Sequence, residues 1–310
     1  MSNERLDLPP AQLSLARRRF LQTAAAGLGA FGFAQAGFGQ SAATDVPATQ
    51  GLRGGKSKAR DQDILNFALN LEYLEAEFYL LATTGVGLQA ADTGSDDPNS
   101  PAAGATTGGR QVTFATDAVR QYAVEIAADE LAHVRLLRTA TKKSVAKPAI
   151  DLSTSFTAAA RAANLVGATE EFDAFANENN FLLAAYIFED VGVTAYKGAA
   201  PLLQSPAILD ASAGILGAEA YHAGLIRTIL ASRGLTAQAN AISDLRDGAD
   251  GTPDDDQGIL NADGTFNFVP TDANGLAFGR TPGQVLAITY LSPTAESGGF
   301  FPNGVNGRIR

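Results

Sequence analysis

The sequence predicts an all-α fold: an antiparallel four-helix bundle with a long crossover, an insertion loop, and a loop-rich C-terminal tail holding one short helix. Three observations predict it. Four long segments repeat apolar residues at three- and four-residue steps. Each of those segments also places a glutamate on its apolar stripe. The stretch between the second and third segments is long enough to cross a bundle from end to end.

The first helix is expected over about residues 61–83, where Ile64, Leu65, Ala68, Leu71, Glu72, Glu75, Phe78 and Tyr79 form one stripe. Residues 84–115 are rich in Gly, Asp, Ser, Thr and Pro with little to bury, and read as an insertion loop. Thr116 is a candidate N-cap for the second helix, whose inward residues are Val119, Tyr122, Ala123, Ile126, Glu130, His133, Val134 and Leu137. Residues 141–169, which include Lys147-Pro148, read as the crossover with some local helix. The third helix is expected over about 171–198, with Phe181, Leu182, Ala185, Phe188, Glu189, Gly192 and Tyr196 on one face and Pro201 ending it. The fourth, about 205–233, aligns Ile208, Ile215, Glu219, His222, Ile226 and Ile229, and Gly234 supplies its stop.

The bundle thus occupies residues 61–233, and residues 234–310 form a C-terminal extension expected to dock on it. The Asp-rich stretch from Asp244 to Asp263 suits a solvated loop, and the Asp run at 254–256 lacks the spacing of a calcium-binding loop. Thr281-Pro282 reads as N-cap and first turn of a short helix reaching about Leu291. The adjacent Phe300 and Phe301 require a dock that periodicity does not locate.

Composition narrows the function. At 310 residues, 45% hydrophobic and 18% charged, the chain can bury a sizeable core and is a soluble globular protein. It has no Cys, which excludes disulfides, thiolate nucleophiles, zinc fingers and iron–sulfur clusters, so any metal must be held by oxygen and imidazole. Only two His supply imidazole. A net charge of −10 argues against nucleic acid as a partner and against an anionic lipid surface. No nucleophilic triad, phosphate loop or dinucleotide fingerprint is visible.

The first 36 residues differ from the rest. Arg17, Arg18 and Arg19 precede Phe20, Leu21 and an apolar run from Thr23 to Ala36 that is too short to span a bilayer, and Ala34-Gln35-Ala36 offers a cleavage site. The Arg17-Arg18-x-Phe20-Leu21 pattern resembles a twin-arginine export signal, although Ala16 and Gln22 stand where Ser or Thr and Lys are usual. Residues 1–36 are therefore expected to be a cleaved leader, with 37–60 a linker. The resemblance implies a periplasmic or extracellular protein without stable membrane insertion after cleavage. It also implies export in the folded state, usual for a chain that acquires a metal or cofactor in the cytoplasm.

The chemistry concentrates in one pattern. Both His sit three residues after a Glu, in Glu130-Leu131-Ala132-His133 and Glu219-Ala220-Tyr221-His222, so each pair shares a helix face. With twelve Glu in 310 residues, chance would give both placements about twice in a thousand. The other two helices add Glu72 and Glu189, each followed seven residues later by a tyrosine, Tyr79 and Tyr196. The chain is thus a duplicated unit, Glu-x6-Tyr then Glu-x-x-His. Carboxylates on an apolar stripe are costly unless paired or metal-bound. Four carboxylates and two imidazoles make a hard, oxygen-rich site suited to two Fe or Mn ions better than to Cu or structural Zn. Glu75 and Glu77 are alternatives to Glu72, which the heptad relation to Tyr79 favours. Glu125, Glu178 and Asp190 read as solvated helix charges. Tyr79 and Tyr196 are candidates for a redox or proton-relay role, or core residues with one satisfied hydroxyl.

Glu72, the pair Glu130 and His133, Glu189, and the pair Glu219 and His222 resemble the di-metal carboxylate site of the ferritin-like superfamily, an arrangement that is itself a standard example of a bundle-core metal site. The acidic tail ending in Gly-Phe-Phe-Pro-Asn-Gly is similar to exported ferritin-like proteins related to plant desiccation-associated proteins. The resemblance implies that Glu130 and Glu219 bridge two metals, with Glu72 and His133 terminal on one and Glu189 and His222 on the other. It implies further that Asp129, in the Asp-Glu-x-x-His form, orients the His of the opposite pair, here His222. Ala218 stands at the equivalent position before Glu219, so His133 lacks that partner unless another residue, such as Asp190, replaces it.

The resulting expectation is an exported di-iron or di-manganese protein performing redox chemistry on O2 or peroxide, of ferroxidase, peroxidase or catalase type, in stress protection. The contrasting expectation is a non-catalytic envelope protein of stress or desiccation protection with a structural or vestigial metal site. Either is compatible with a homo-oligomer, although the insertion loop and tail would crowd the contacts of a storage cage.

Overall fold

The computed structural model describes residues 57–98, 100–251 and 255–310. The leader and cleavage site at 1–36, and all of the linker but its last turn, lie outside the described residues. That last turn is helical, because Lys and Arg are good helix formers and the preceding Gly pair ends at Gly55.

Four long helices build the core: α1 (Ser57–Thr84), α3 (Asp117–Ala140), α5 (Glu178–Ala199) and α6 (Pro206–Ser232), with a short α2 (Ala90–Thr93) between the first two. Helix α1 packs along α3 and α5 along α6, and the two pairs face each other through α1 with α5 and α3 with α6. This is the four-helix bundle that the periodicity predicts. Asn177 starts α5 by accepting from Asn180 N at 3.0 Å, so residues 171–177 stay outside the helix, contrary to expectation. Asp173 holds that segment in a turn by accepting from Phe175 N at 2.9 Å, and Arg110 pairs with its carboxylate. Ser205 and Pro206 start α6, and Gly234, at φ +70°, follows its end.

The insertion is more ordered than a polar loop. Its strand β1 (Thr106–Gly108) pairs in parallel with β2 (Ile150–Leu152) of the crossover, in the register Thr106 to Ile150. Three residues per strand are too few for alternation to show in the sequence. The crossover also contains α4 (Thr154–Ala162).

The Asp-rich region differs most from expectation. Its first part is helical: α7 (Thr236–Asp250) takes in residues 244–250 and packs on α5 and on α8 (Pro282–Thr289), while residues 255–263 stay outside helices. Its buried face uses Ala239, Ile242, Ser243 and Arg246, a stripe with only two apolar residues, which hid the helix from a hydropathy reading. Helix α8 starts with a capping box between Thr281 and Gln284. Phe300 lies between Phe156 and Phe188, with ring centroids at 5.0 and 4.9 Å, and its carbonyl accepts from Asp151 N at 3.0 Å. Phe301 packs against Tyr290. Among the described residues no helix is long and apolar enough to cross a membrane.

Candidate metal centre

Glu72 on α1, Glu130 and His133 on α3, Glu189 on α5, and Glu219 and His222 on α6 converge in the middle of the bundle. All six are buried. They form two sets of four, Glu72, Glu130, His133, Glu219 and Glu130, Glu189, Glu219, His222, each with ligand atoms within 4.8 Å of one another. Glu130 and Glu219 belong to both. His133 Nδ1 faces Glu72 Oε2 at 3.3 Å, Glu130 Oε2 at 3.5 Å and Glu219 Oε1 at 3.6 Å. His222 Nδ1 faces Glu130 Oε1 at 3.2 Å and Glu189 Oε2 at 3.5 Å. Glu130 therefore turns one oxygen toward each imidazole.

These inward atoms have no hydrogen-bond partners. Glu72 Oε2, both oxygens of Glu130 and of Glu219, Glu189 Oε2, His133 Nδ1 and His222 Nδ1 are all buried and unsatisfied. Buried polar atoms are normally paired, and leaving so many orphaned at one point is costly unless a cation collects them. The donors divide evenly, three oxygens and one nitrogen for each of two positions, and so fit a metal site.

The outward atoms are satisfied by groups that orient the ligands. The Tyr79 hydroxyl donates to Glu189 Oε1 and that of Tyr196 to Glu72 Oε1. Each tyrosine thus serves the glutamate of the other half, not the one seven residues before it. Asp129 Oδ2 lies 3.1 Å from His222 Nε2. Among the described residues no carboxylate stands on His133 Nε2, and Asp190 is engaged elsewhere.

Without a cation, protons balance the cluster. Burial disfavours the imidazolium of His133, but Glu130 and Glu72 raise it to about 10. His222 is pushed up to about 12 in the same way by Glu130 and Glu189. Burial would raise Glu130, yet the two imidazoles hold it down to about 2. Burial and the charge of Glu130 push Glu72 up to about 7. Burial, then the glutamates, raise both tyrosines well above their usual range.

Of the alternatives to Glu72, Glu77 points away and pairs with buried Lys147 at 3.3 Å. Glu75 is buried beside the centre but outside both sets of four. Gly192 explains the fit of its surroundings: a Cβ there would stand 2.2 Å from Glu219 Oε2, so α5 lies this close to that carboxylate only without a side chain, whereas Glu75 Oε1, at 3.5 Å, would be in ordinary contact. Burial and the charges of Glu130 and Glu72 push Glu75 well above the usual carboxylate range.

Two residues expected to be solvated are structural. Glu178 is buried, accepts from Thr116 N and pairs with Arg233. Asp190, next to Glu189, is buried and pairs with Arg227 at 2.7 Å and Arg246 at 2.9 Å. The network continues from Arg246 to Asp256 at 2.6 Å and from Arg280 to Asp256 at 2.9 Å and Asp250 at 2.5 Å. Asp255 and Asp256, expected in a solvated loop, are buried because these arginines need counter-charges. The network ties the C-terminal extension to the turn of α5 that carries Glu189. Glu125 is exposed, as expected of a surface charge.

Residues 60–232 match the ferritin-like domain family. Over 267 residues the chain is 32% identical to a desiccation-related protein of Craterostigma plantagineum, covering 80% of this chain and 83% of that protein. Over 273 residues it is 30% identical to a ferritin-like catalase of Nesocodon mauritianus, covering 80% and 84%. No solved structure matches the chain significantly. A four-helix bundle with a buried Glu and His cluster at its centre, and a family match over that same bundle, lead to one conclusion: the chain belongs to the ferritin-like family.

Proposed function

We propose that the chain holds two iron or manganese ions, one between Glu72 and His133 and one between Glu189 and His222, with Glu130 and Glu219 shared. We propose further that it performs redox chemistry on dioxygen or peroxide, of ferroxidase, peroxidase or catalase type, in stress protection outside the cytoplasm. The observation that carries this reading is the set of unsatisfied inward ligand atoms. When bound, such ions supply Lewis acidity and electrons.

The chain's own part follows from its residues. Four glutamates balance the charge of two divalent ions, so the loaded centre is near neutral in a low-dielectric core. Tyr79 and Tyr196 hold a proton on the outer oxygens of Glu189 and Glu72, which fixes the inner oxygens and places a hydroxyl proton beside each half of the centre. Phe78, stacked on Phe181 and edge-on to Phe188, helps keep water away beside Tyr79. Export rests on the twin-arginine-like leader.

The name of the ferritin-like catalase relative supports the peroxide reaction. That of the desiccation-related relative favours a second reading, a non-catalytic protective protein keeping the metals as a staple. Turnover assays on reconstituted protein, with Fe(II) and O2 and separately with peroxide, separate the two. Catalytic turnover lost on Glu130→Ala supports the enzyme; full metal occupancy without turnover supports the staple.

A further inference from the structure

Two cavities line the seam between α1 and α5, on the side of the centre away from the imidazoles. One, of about 30 Å³, is walled by Ala68 and Leu71 of α1, Ala195 of α5, and Val285 and Ile309 of the C-terminal extension, and it borders Tyr196. The other, of about 20 Å³, is walled by Leu71, Leu74, Val191, Ile288 and Phe300, and borders Glu75 and Gly192. Leu71 lies in both walls. Tyr196 bonds Glu72, and Gly192 packs directly against Glu219. Both cavities therefore adjoin residues that touch the metal ligands.

Five polar side chains touch these walls, Tyr196, Ser212 and Arg280 at the first and Glu75 and Thr289 at the second, and three of them are hydrogen-bonded, so each cavity offers at most one further polar partner. Tyr196 is bound to Glu72, Arg280 to Asp250 and Asp256, and Thr289 to the Leu286 carbonyl. An ordered water needs two to four polar partners, and small cavities without them stay dry. A peroxide molecule would leave hydrogen-bonding groups unpaired here, lowering its occupancy about tenfold or more for each. The opposite seam, between α3 and α6, differs: the His133 and His222 side chains are 10% and 7% exposed there, and that of Asp129 is 47% exposed.

We propose that the α1–α5 cavities form a dry binding and entry site for a small, uncharged, apolar molecule of the size of dioxygen, while polar reactants and metal ions use the α3–α6 side. This deepens the reading of the centre as one that handles oxidants, and rests on it for the purpose of the cavities, but their occupancy can be tested without metal.

The first experiment places the full metal-free protein under xenon pressure, with xenon bound in the seam as the expected result. Ala68→Leu with Ile288→Phe fills both cavities without replacing a ligand, and should abolish the xenon signal. In Fe(II)-loaded protein the same double variant should slow oxidation by O2 about tenfold and leave the reaction with peroxide within twofold of the parent. If the double variant does not fold, each single substitution should remove xenon from its own cavity and slow the O2 reaction in part. Absence of xenon from the seam of the parent protein, or a filled variant that reacts with O2 as fast as the parent, overturns the proposal. Xenon binding in a protein that takes up no metal would instead sink the proposed function alone.

Discussion

Asp129 Oδ2 stands 3.1 Å from His222 Nε2, whereas the position that duplication would assign to His133 is Ala218. A carboxylate on the far nitrogen of a ligating imidazole fixes its ring and raises its basicity, and its loss usually weakens metal binding by about ten- to a hundredfold. The two halves of the centre should therefore differ. Metal titration is expected in two steps, the weaker at Glu72 and His133. Ala218→Asp should tighten the weaker step and leave the stronger nearly unchanged, while Asp129→Ala should weaken the stronger. Equal affinities in the parent protein, or an Ala218→Asp change that tightens both steps alike, would contradict this.

Loading should release protons. In the metal-free protein His133 and His222 are raised to about 10 and about 12, so both are imidazolium at neutral pH, and ligation through Nδ1 requires the neutral ring. Metal binding therefore displaces at least one proton from each imidazole, and apparent affinity rises with pH throughout the range below about 10. Calorimetry in buffers of different ionisation enthalpy should return about two or more protons per chain; a value near zero would show that the imidazoles are not ligands.

Tyr79→Phe removes the donor to Glu189 Oε1 and leaves that oxygen buried and bare. The expected cost is about 1–3 kcal/mol, or a melting temperature lower by roughly 2–10 °C. The variant with both Tyr79 and Tyr196 changed to Phe should still bind two ions yet turn over oxidant more slowly. Unchanged turnover would leave the tyrosines as core residues only.

The four helices and the six ligand candidates were legible in the sequence because both obey one rule: each inward residue falls on a 3.6-residue stripe, and the Glu-x-x-His pairs recur. What was not legible depends on contacts between distant segments. Nothing local shows that Tyr79 serves Glu189, more than a hundred residues away. The buried state of Asp190, Asp255 and Asp256 depends on Arg227, Arg246 and Arg280, which pattern alone reads as surface charge. Helix α7 is hidden for the same reason, since its inward face carries Ser243 and Arg246 in place of apolar residues. Gly192 lay on the predicted stripe, but its purpose appears only when Glu219 packs against it.

Asp256→Ala should be severely destabilising. It leaves Arg246 and Arg280, both almost fully buried, without a shared counter-charge. Breaking a buried pair from one side costs about 3–5 kcal/mol. Chemical denaturation should show the loss, and because the network reaches α5 beside Glu189, metal affinity should fall with it; a variant as stable as the parent would show that the network is not structural.

The proposed export route is tested by changing Arg17 and Arg18 together to Lys, which should strand the full-length protein in the cytoplasm of its host. Normal export of that variant would remove support for the twin-arginine reading.

Glu72, Glu130, His133, Glu189, Glu219 and His222 are proposed to hold two ions together. Elemental analysis of the protein purified from its own host, and again after reconstitution with Fe(II) and with Mn(II), tests this most directly. About two transition-metal ions per chain are expected, falling to one or fewer in Glu130→Ala. Less than about half an ion per chain after reconstitution would contradict it.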